Sequence, residues 1–181
     1  MHRQILSLFL FLFLCSFPAR AETPSAPNEF HAAKTAPEKI LNDILQRNAK
    51  DMSVFDFALK HPWRDQSLDQ SLSRLFTEKL QNAWAAAEKK AAQADCQGDY
   101  TRARQNNKAC GIDMNPITCD WTQKETFHFH THIINDHEAQ VSYLGDARGD
   151  KGASPYRMVK DRDGLWKLDS VSCSKDERYN P

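Results

Sequence analysis

Three histidines alternate with other residues in Phe127-His128-Phe129-His130-Thr131-His132-Ile133. Strand side chains point to opposite faces in turn. His128, His130 and His132 therefore share one side, and Phe127, Phe129, Thr131 and Ile133 the other. Imidazoles at i and i+2 can ligate Zn²⁺ or Cu²⁺, with Glu138 or His137 as a further donor. Same-face neighbours stand ~7 Å apart, however, and three in a straight row converge poorly. A plain polar sheet face is the stronger expectation. No cofactor is expected beyond weak Zn²⁺ or Cu²⁺.

The next apolar alternation is Ala139, Val141 and Tyr143. A three-residue loop, Asn135-Asp136-His137, pairs Ile133 with Ala139, Thr131 with Val141 and Phe129 with Tyr143. A two-residue loop would set those apolar residues beside the histidines, so matching of apolar faces selects the longer one. The histidines then neighbour Glu138, Gln140 and Ser142.

Acid–base chemistry has fewer candidates. A pocket enzyme needs a carboxylate base facing a buried donor, and Asp113, Asp120, Asp169, Tyr100 and Tyr143 are the residues available. Asp113 stands before Asn115-Pro116 and reads as a turn residue, while Asp169 marks a bulge in the last strand. No Ser-His-Asp constellation, P-loop or dinucleotide fingerprint occurs. No residue is assigned a catalytic role.

Binding has better candidates. Trp63 follows His61-Pro62 and precedes Arg64, and it is the tryptophan expected at the surface; Trp84, Trp121 and Trp166 are expected in the core. The stretch Asp95–Gly111 is polar and basic, with Arg102 and Arg104 between Cys96 and Cys110. A stapled loop has lost much of its entropy before any partner arrives. Trp63, Arg102, Arg104 and Tyr143 are the binding candidates.

Cysteine count and the N-terminus place the chain. Ile5–Phe17 is apolar apart from Ser7 and Ser16, follows Arg3, and ends in Ala19-Arg20-Ala21. This is the pattern of a secretory signal peptide cut after Ala21, so the protein is expected in the periplasm or outside the cell. The run is too short to span a bilayer. Leu14 stands before Cys15 where a lipobox needs a small residue. No later segment is apolar enough to span. Cys96, Cys110, Cys119 and Cys173 then remain, and three pairings are possible. The expected pairs are Cys96–Cys110, closing the polar loop, and Cys119–Cys173, joining the first strand to the end of the last. None has C-x₂-C spacing, which argues against a structural zinc.

The whole chain has 24 basic and 24 acidic side chains. Removing residues 1–21 takes away two arginines, leaving 22 basic against 24 acidic. That balance argues against nucleic acid as a partner, since phosphate affinity needs a clustered positive surplus.

These residues need elements to position them. Residues 22–34 read as a mobile tether, 35–175 as one domain, and 176–181 as a tail. Thr35-Ala36-Pro37-Glu38 has the form of a capping box, and Ile40, Leu41, Ile44 and Leu45 continue one helical face. Met52, Phe55, Ala58 and Leu59 make a second short helix, ended by His61-Pro62. One long helix is expected from Gln66 to Ala94. Leu68, Leu72, Leu75, Phe76, Lys79, Leu80, Ala83, Trp84, Ala87 and Ala91 form its stripe. Glu78, Lys79, Glu88, Lys89 and Lys90 are expected on its wet side. Five strands follow, at Ile117–Thr122, Thr126–Ile134, Glu138–Leu144, Tyr156–Asp161 and Leu165–Ser172, with a tight turn at Asp163-Gly164. The class is α+β, helices laid on one face of a curved antiparallel sheet.

From Pro37 to Cys173 this order of parts resembles the nuclear-transport-factor-two-like superfamily, the cystatin-like cone. Leu75–Ala87, Cys110-Gly111-Ile112-Asp113-Met114-Asn115-Pro116 and Asp163-Gly164-Leu165-Trp166-Lys167-Leu168-Asp169-Ser170-Val171 carry the resemblance. Small exported bacterial proteins of that superfamily look similar. The resemblance implies a conical pocket enclosed by sheet and helices. It does not choose among enzyme, binder and assembly domain. The expected function is a non-catalytic envelope binding module, an accessory factor or inhibitor with a protein partner; the alternative is a small pocket enzyme or a metal-binding protein.

Overall fold

The computed structural model describes residues 30–119, 126–145 and 155–171. The expected signal peptide, Asp120, Trp121 and Cys173 lie outside the described residues. So do most of the tether and residues 146–154.

Helix α1 (Ala36–Asp51) starts with the expected capping box. Thr35 accepts from the Glu38 amide, and Glu38 accepts from the Thr35 amide. Leu41, Ile44 and Leu45 are buried along its inner face. Met52, at φ 61°, closes it. Helix α2 (Ser53–Ala58) follows and stops where His61-Pro62 requires. Lys60 turns left-handed, and its amide and that of His61 donate to the carbonyls of Phe57 and Asp56.

The expected single helix over Gln66–Ala94 is broken. A 3₁₀ turn (Gln66–Leu68) leads into α3 (Asp69–Ser73), and α4 (Glu78–Cys96) starts afresh with Thr77 capping the Leu80 amide. The break has a physical cause at the sheet edge. The Leu75 carbonyl accepts from the Leu168 amide, and the Thr77 amide donates to the Leu168 carbonyl, both at 2.9 Å. Residues 75–77 cover the last strand's open backbone, a task that helical hydrogen bonds would forbid. The apolar stripe still faces inward, with Leu72, Leu75, Phe76, Leu80 and Trp84 buried. A further helix, α5 (Tyr100–Gln105), lies within the stretch expected as a polar loop.

Four strands are found among the described residues: β1 (Phe127–Asn135), β2 (Glu138–Gly145), β3 (Tyr156–Lys160) and β4 (Trp166–Ser170). They form one antiparallel sheet in the order β1-β2-β3-β4. The β1–β2 register is the expected one, with Phe129 opposite Tyr143, Thr131 opposite Val141 and Ile133 opposite Ala139. The turn differs in detail. Asn135 pairs with Glu138, and the odd residue is absorbed by a shift between Ile133 and Asn135. Asp169 occupies a similar irregularity in β4. The first expected strand is not found at its start, because Ile117 and Thr118 form a turn with Asn115 Oδ1 accepting from both amides. Asn115 also donates to Asn48 of α1 at 3.0 Å, locking that turn to the helix.

Helix α1 packs against β1, β2 and β4, and α4 against β4. Phe129, Ala139, Val141, Tyr156, Met158 and Leu168 are fully buried beneath them. The tether also docks earlier than expected. His31 exchanges two backbone hydrogen bonds with Phe129, covering part of the β1 edge. No helix among the described residues is long and apolar enough to cross a membrane.

Candidate functional site

The end of α2, the middle of α4 and the stapled segment after it meet around one carboxylate. Glu88, expected on the wet side of the helix, is 2% exposed. Its row Leu80, Trp84, Glu88, Ala92 repeats every four residues and is the buried set of α4. The Tyr100 hydroxyl donates to Glu88 Oε1 at 2.6 Å, and the Ile112 amide donates to Oε2 at 2.7 Å. The His61 Nε2 stands 3.7 Å from Oε1. On its other side the buried His61 ring holds Asp56, with Nδ1 at 2.7 Å from Oδ1. An ionised carboxylate only accepts, so Nδ1 carries a proton. Asp56–His61 and Tyr100–Glu88–Ile112 are two hydrogen-bonded pieces of one polar chain, which meet at the 3.7 Å approach of His61 to Glu88. Burial and, after it, the hydrogen bond to Glu88 and the charge of that carboxylate push the Tyr100 phenol far above its ordinary value.

Trp63 is fastened to this chain from outside. Its Nε1–H donates to Asp56 Oδ1 at 3.1 Å. Its ring lies 4.4 Å from the His61 ring and 5.6 Å, edge to face, from Tyr100. Yet 49% of Trp63 is exposed, as expected of it. A tryptophan held at its polar edge and along one face keeps an apolar surface in water with little freedom left to lose. It borders two depressions that share Trp63, Tyr100 and Arg104. One, of ≈ 480 Å³, continues over Pro62, Thr101 and Gln105. The other, of ≈ 380 Å³, runs to Asn107, Lys108 and Cys110.

The disulfide Cys96–Cys110 holds this surface together. It is formed as expected, with Cα atoms 5.4 Å apart. It ties the end of α4 to the residue before Gly111, so α5 is anchored at both ends. Cys119 is disulfide-bonded as well. Its expected partner, Cys173, lies outside the described residues.

The binding candidates separate. Trp63 and Arg104 line the same cleft, whereas Arg102 lines a different depression with Asp95, Asp99 and Asn106. Two positions along α5 turn a side chain to the far side of the helix. Tyr143 is 1% exposed and packs between Phe127 and Tyr156, so it is a core residue, not a contact residue. Its in-facing position in β2 follows from the same alternation that sets the register.

The histidine face is open. His128 and His132 are exposed and His130 is half-buried, 5.9 Å from the Phe30 ring. Glu138, the further donor expected for a metal, accepts from Arg157 Nε at 2.7 Å, which holds its carboxyl below the usual range. Among the described residues no three His, Cys, Asp or Glu side chains are grouped to hold a metal. Asp169 is buried against Arg157 and Lys79. Asp113 is exposed and lies ahead of the turn at residues 116–118.

These parts define a disulfide-stapled α+β domain with a rigid aromatic cleft beside its cross-link. Comparison with protein-family models, with curated proteins and with solved structures gives no match.

Proposed function

We propose that the chain is an exported, non-catalytic binding module and that its contact surface is the cleft of Trp63, Tyr100 and Arg104. The observation that carries this reading is the half-exposed indole of Trp63, immobilised by Asp56, His61 and Tyr100. Large aromatic residues fixed before binding are the usual energetic centres of interfaces. The ionisable groups behind the cleft satisfy one another: Glu88 accepts from Tyr100 and Ile112, and Asp56 from His61 and Trp63. Asp56, His61 and Glu88 stand behind Tyr100, which lines the cleft, and support its wall, which favours binding over acid–base catalysis.

Export is supported by the leader pattern of residues 1–21 and by the disulfides, which persist in oxidising compartments. A cone of the nuclear-transport-factor-two-like kind, with a fifth strand before β1, is the architecture proposed for the whole domain. The helices on one face of an antiparallel meander support it.

Affinity capture with the mature chain from an envelope extract tests the function. Wild type should retain a partner that Trp63→Ala does not, with both proteins giving the same far-ultraviolet circular dichroism. Equal capture by the two proteins would overturn the assignment of this surface.

A further inference from the structure

The two depressions beside Trp63 differ in chemistry, and the difference specifies a ligand. The larger is walled by Pro62, the Trp63 indole and the Tyr100 ring. The smaller ends in Asn107 and Lys108, with Arg104 between the two. The carboxylates behind the cleft are already occupied, and Asp95 and Asp99 line the other depression, which Lys108 borders as well. Asp56 holds His61 and Trp63, and Glu88 is buried on Tyr100 and Ile112. Asp99 spends its carboxylate on the Arg102 amide at the start of α5. Among the described residues no carboxylate lies within ion-pair distance of Arg104 or Lys108, and both residues are exposed. The groove therefore presents an apolar half and a cationic half on a support that the disulfide and the Glu88 chain hold rigid.

Resting on the reading of the chain as a binding module, we propose that the cleft takes an extended peptide segment of a partner protein with an aromatic side chain two positions from an acidic one, so that both lie on the same face of the segment. The aromatic side chain stacks on Trp63 over Pro62, and the carboxylate sits between Arg104 and Lys108. Two adjoining depressions that share Trp63, Tyr100 and Arg104 suit two side chains on one face of an extended segment, at i and i+2, better than one compact molecule. The guanidinium meets a carboxylate in a fork geometry that an ammonium does not offer. The positive half also rejects basic segments, which gives the site its discrimination.

Fluorescence anisotropy with the mature chain tests the ligand class. The probe is a fluorescein-labelled peptide in which glutamate and phenylalanine alternate with a glycine between each, so that both lie on one face when extended. Matched probes replace glutamate by lysine, or phenylalanine by serine. The acidic aromatic peptide should bind at least about tenfold more tightly than either control. Arg104→Glu, on an exposed side chain that makes no hydrogen bond or ion pair among the described residues, should weaken it by about tenfold. Arg102→Glu, in the other depression, should change it less than about twofold. Equal binding of the lysine peptide, or indifference to Arg104→Glu, would overturn the proposal. Should the peptides fail while Trp63-dependent capture of a partner persists, the ligand class falls and the binding module stands. Loss of both removes both readings.

Discussion

Gly111 stands directly against the carboxylate of Glu88, and a β-carbon at that position would overlap it. Gly111 also has φ +87°, a conformation that costs an L side chain about 1–2 kcal/mol. Gly111→Ala should therefore lose about 3 kcal/mol of stability, combining strain with a displaced carboxylate. Gly164 is the control. Its φ is +79° but nothing lies within 4 Å of the added carbon, so Gly164→Ala should lose only about 1 kcal/mol. Urea unfolding of both variants measures the difference.

Removing the acceptor itself should be worse than removing one donor. Glu88→Ala strands the Ile112 amide and the Tyr100 hydroxyl, and should cost about 2–4 kcal/mol. Tyr100→Phe removes one donor to a carboxylate that keeps another, and should cost about 1–2 kcal/mol. A double-mutant cycle by urea unfolding should show strong non-additivity, since both substitutions break the same bond.

Tyr100 should also limit stability in alkali. Its phenol titrates higher in the folded protein than in the unfolded chain. Above the ordinary phenol value, ~10, the unfolded chain loses its proton first, and folded stability falls as pH rises. Tyr100→Phe should flatten that decline relative to wild type. An equal slope in the two proteins between ~pH 10 and 11 would contradict it.

The acid limb has a different origin. Glu38 is fully buried at the head of α1 and also accepts from the Thr131 hydroxyl of β1 at 2.6 Å. Burial raises its pKa, but Thr131, the amides of Thr35 and Lys34, and His31 together bring it below the ordinary carboxylate value. Its contribution is therefore present above the unfolded value, ~4.3, and is lost as pH falls through the lower folded one. The stability gap between wild type and Glu38→Gln should narrow below ~pH 4, measured by thermal unfolding.

Opening the Cys96–Cys110 loop, 14 residues in separation, should lower stability by roughly 3 kcal/mol in the chain-entropy model. It should also release α5 and weaken binding at Trp63. Cys96→Ser tests both readouts, and non-reducing peptide mapping tests whether Cys119 is joined to Cys173. Zn²⁺ titration against a mild chelator completes the set. Weak binding that survives His130→Ala is expected from an open histidine row, and a tight one-to-one site abolished by that substitution would contradict it.

Local pattern made much of this protein legible. Thr35 and Glu38 announce the first helix because a capping box is satisfied within four residues. Phe129, Thr131 and Ile133 against Ala139, Val141 and Tyr143 set the first hairpin's register because a one-residue slip would turn every apolar side chain outward. His61-Pro62 ends the second helix, and the loop from Cys96 to Cys110 closes on itself. Each of these depends on neighbours along the chain.

The tertiary structure decided what depends on distant partners. The helix expected over Gln66–Ala94 breaks because the backbone of Leu75 and Thr77 is needed at the edge of β4, roughly ninety residues away in sequence. Glu88 looks like a solvated charge among Lys89 and Lys90. It is buried because Tyr100 and the Ile112 amide supply donors that only the folded, cross-linked segment brings to it. The four-residue row from Leu80 to Ala92 was visible, but it does not reveal that a carboxylate in it would find partners. Tyr143 and Arg102 parted from the Trp63 cleft for local reasons, strand alternation turning the one inward and helix periodicity turning the other away from Arg104. Composition and spacing nominate side chains, and long-range packing determines which of them face one another.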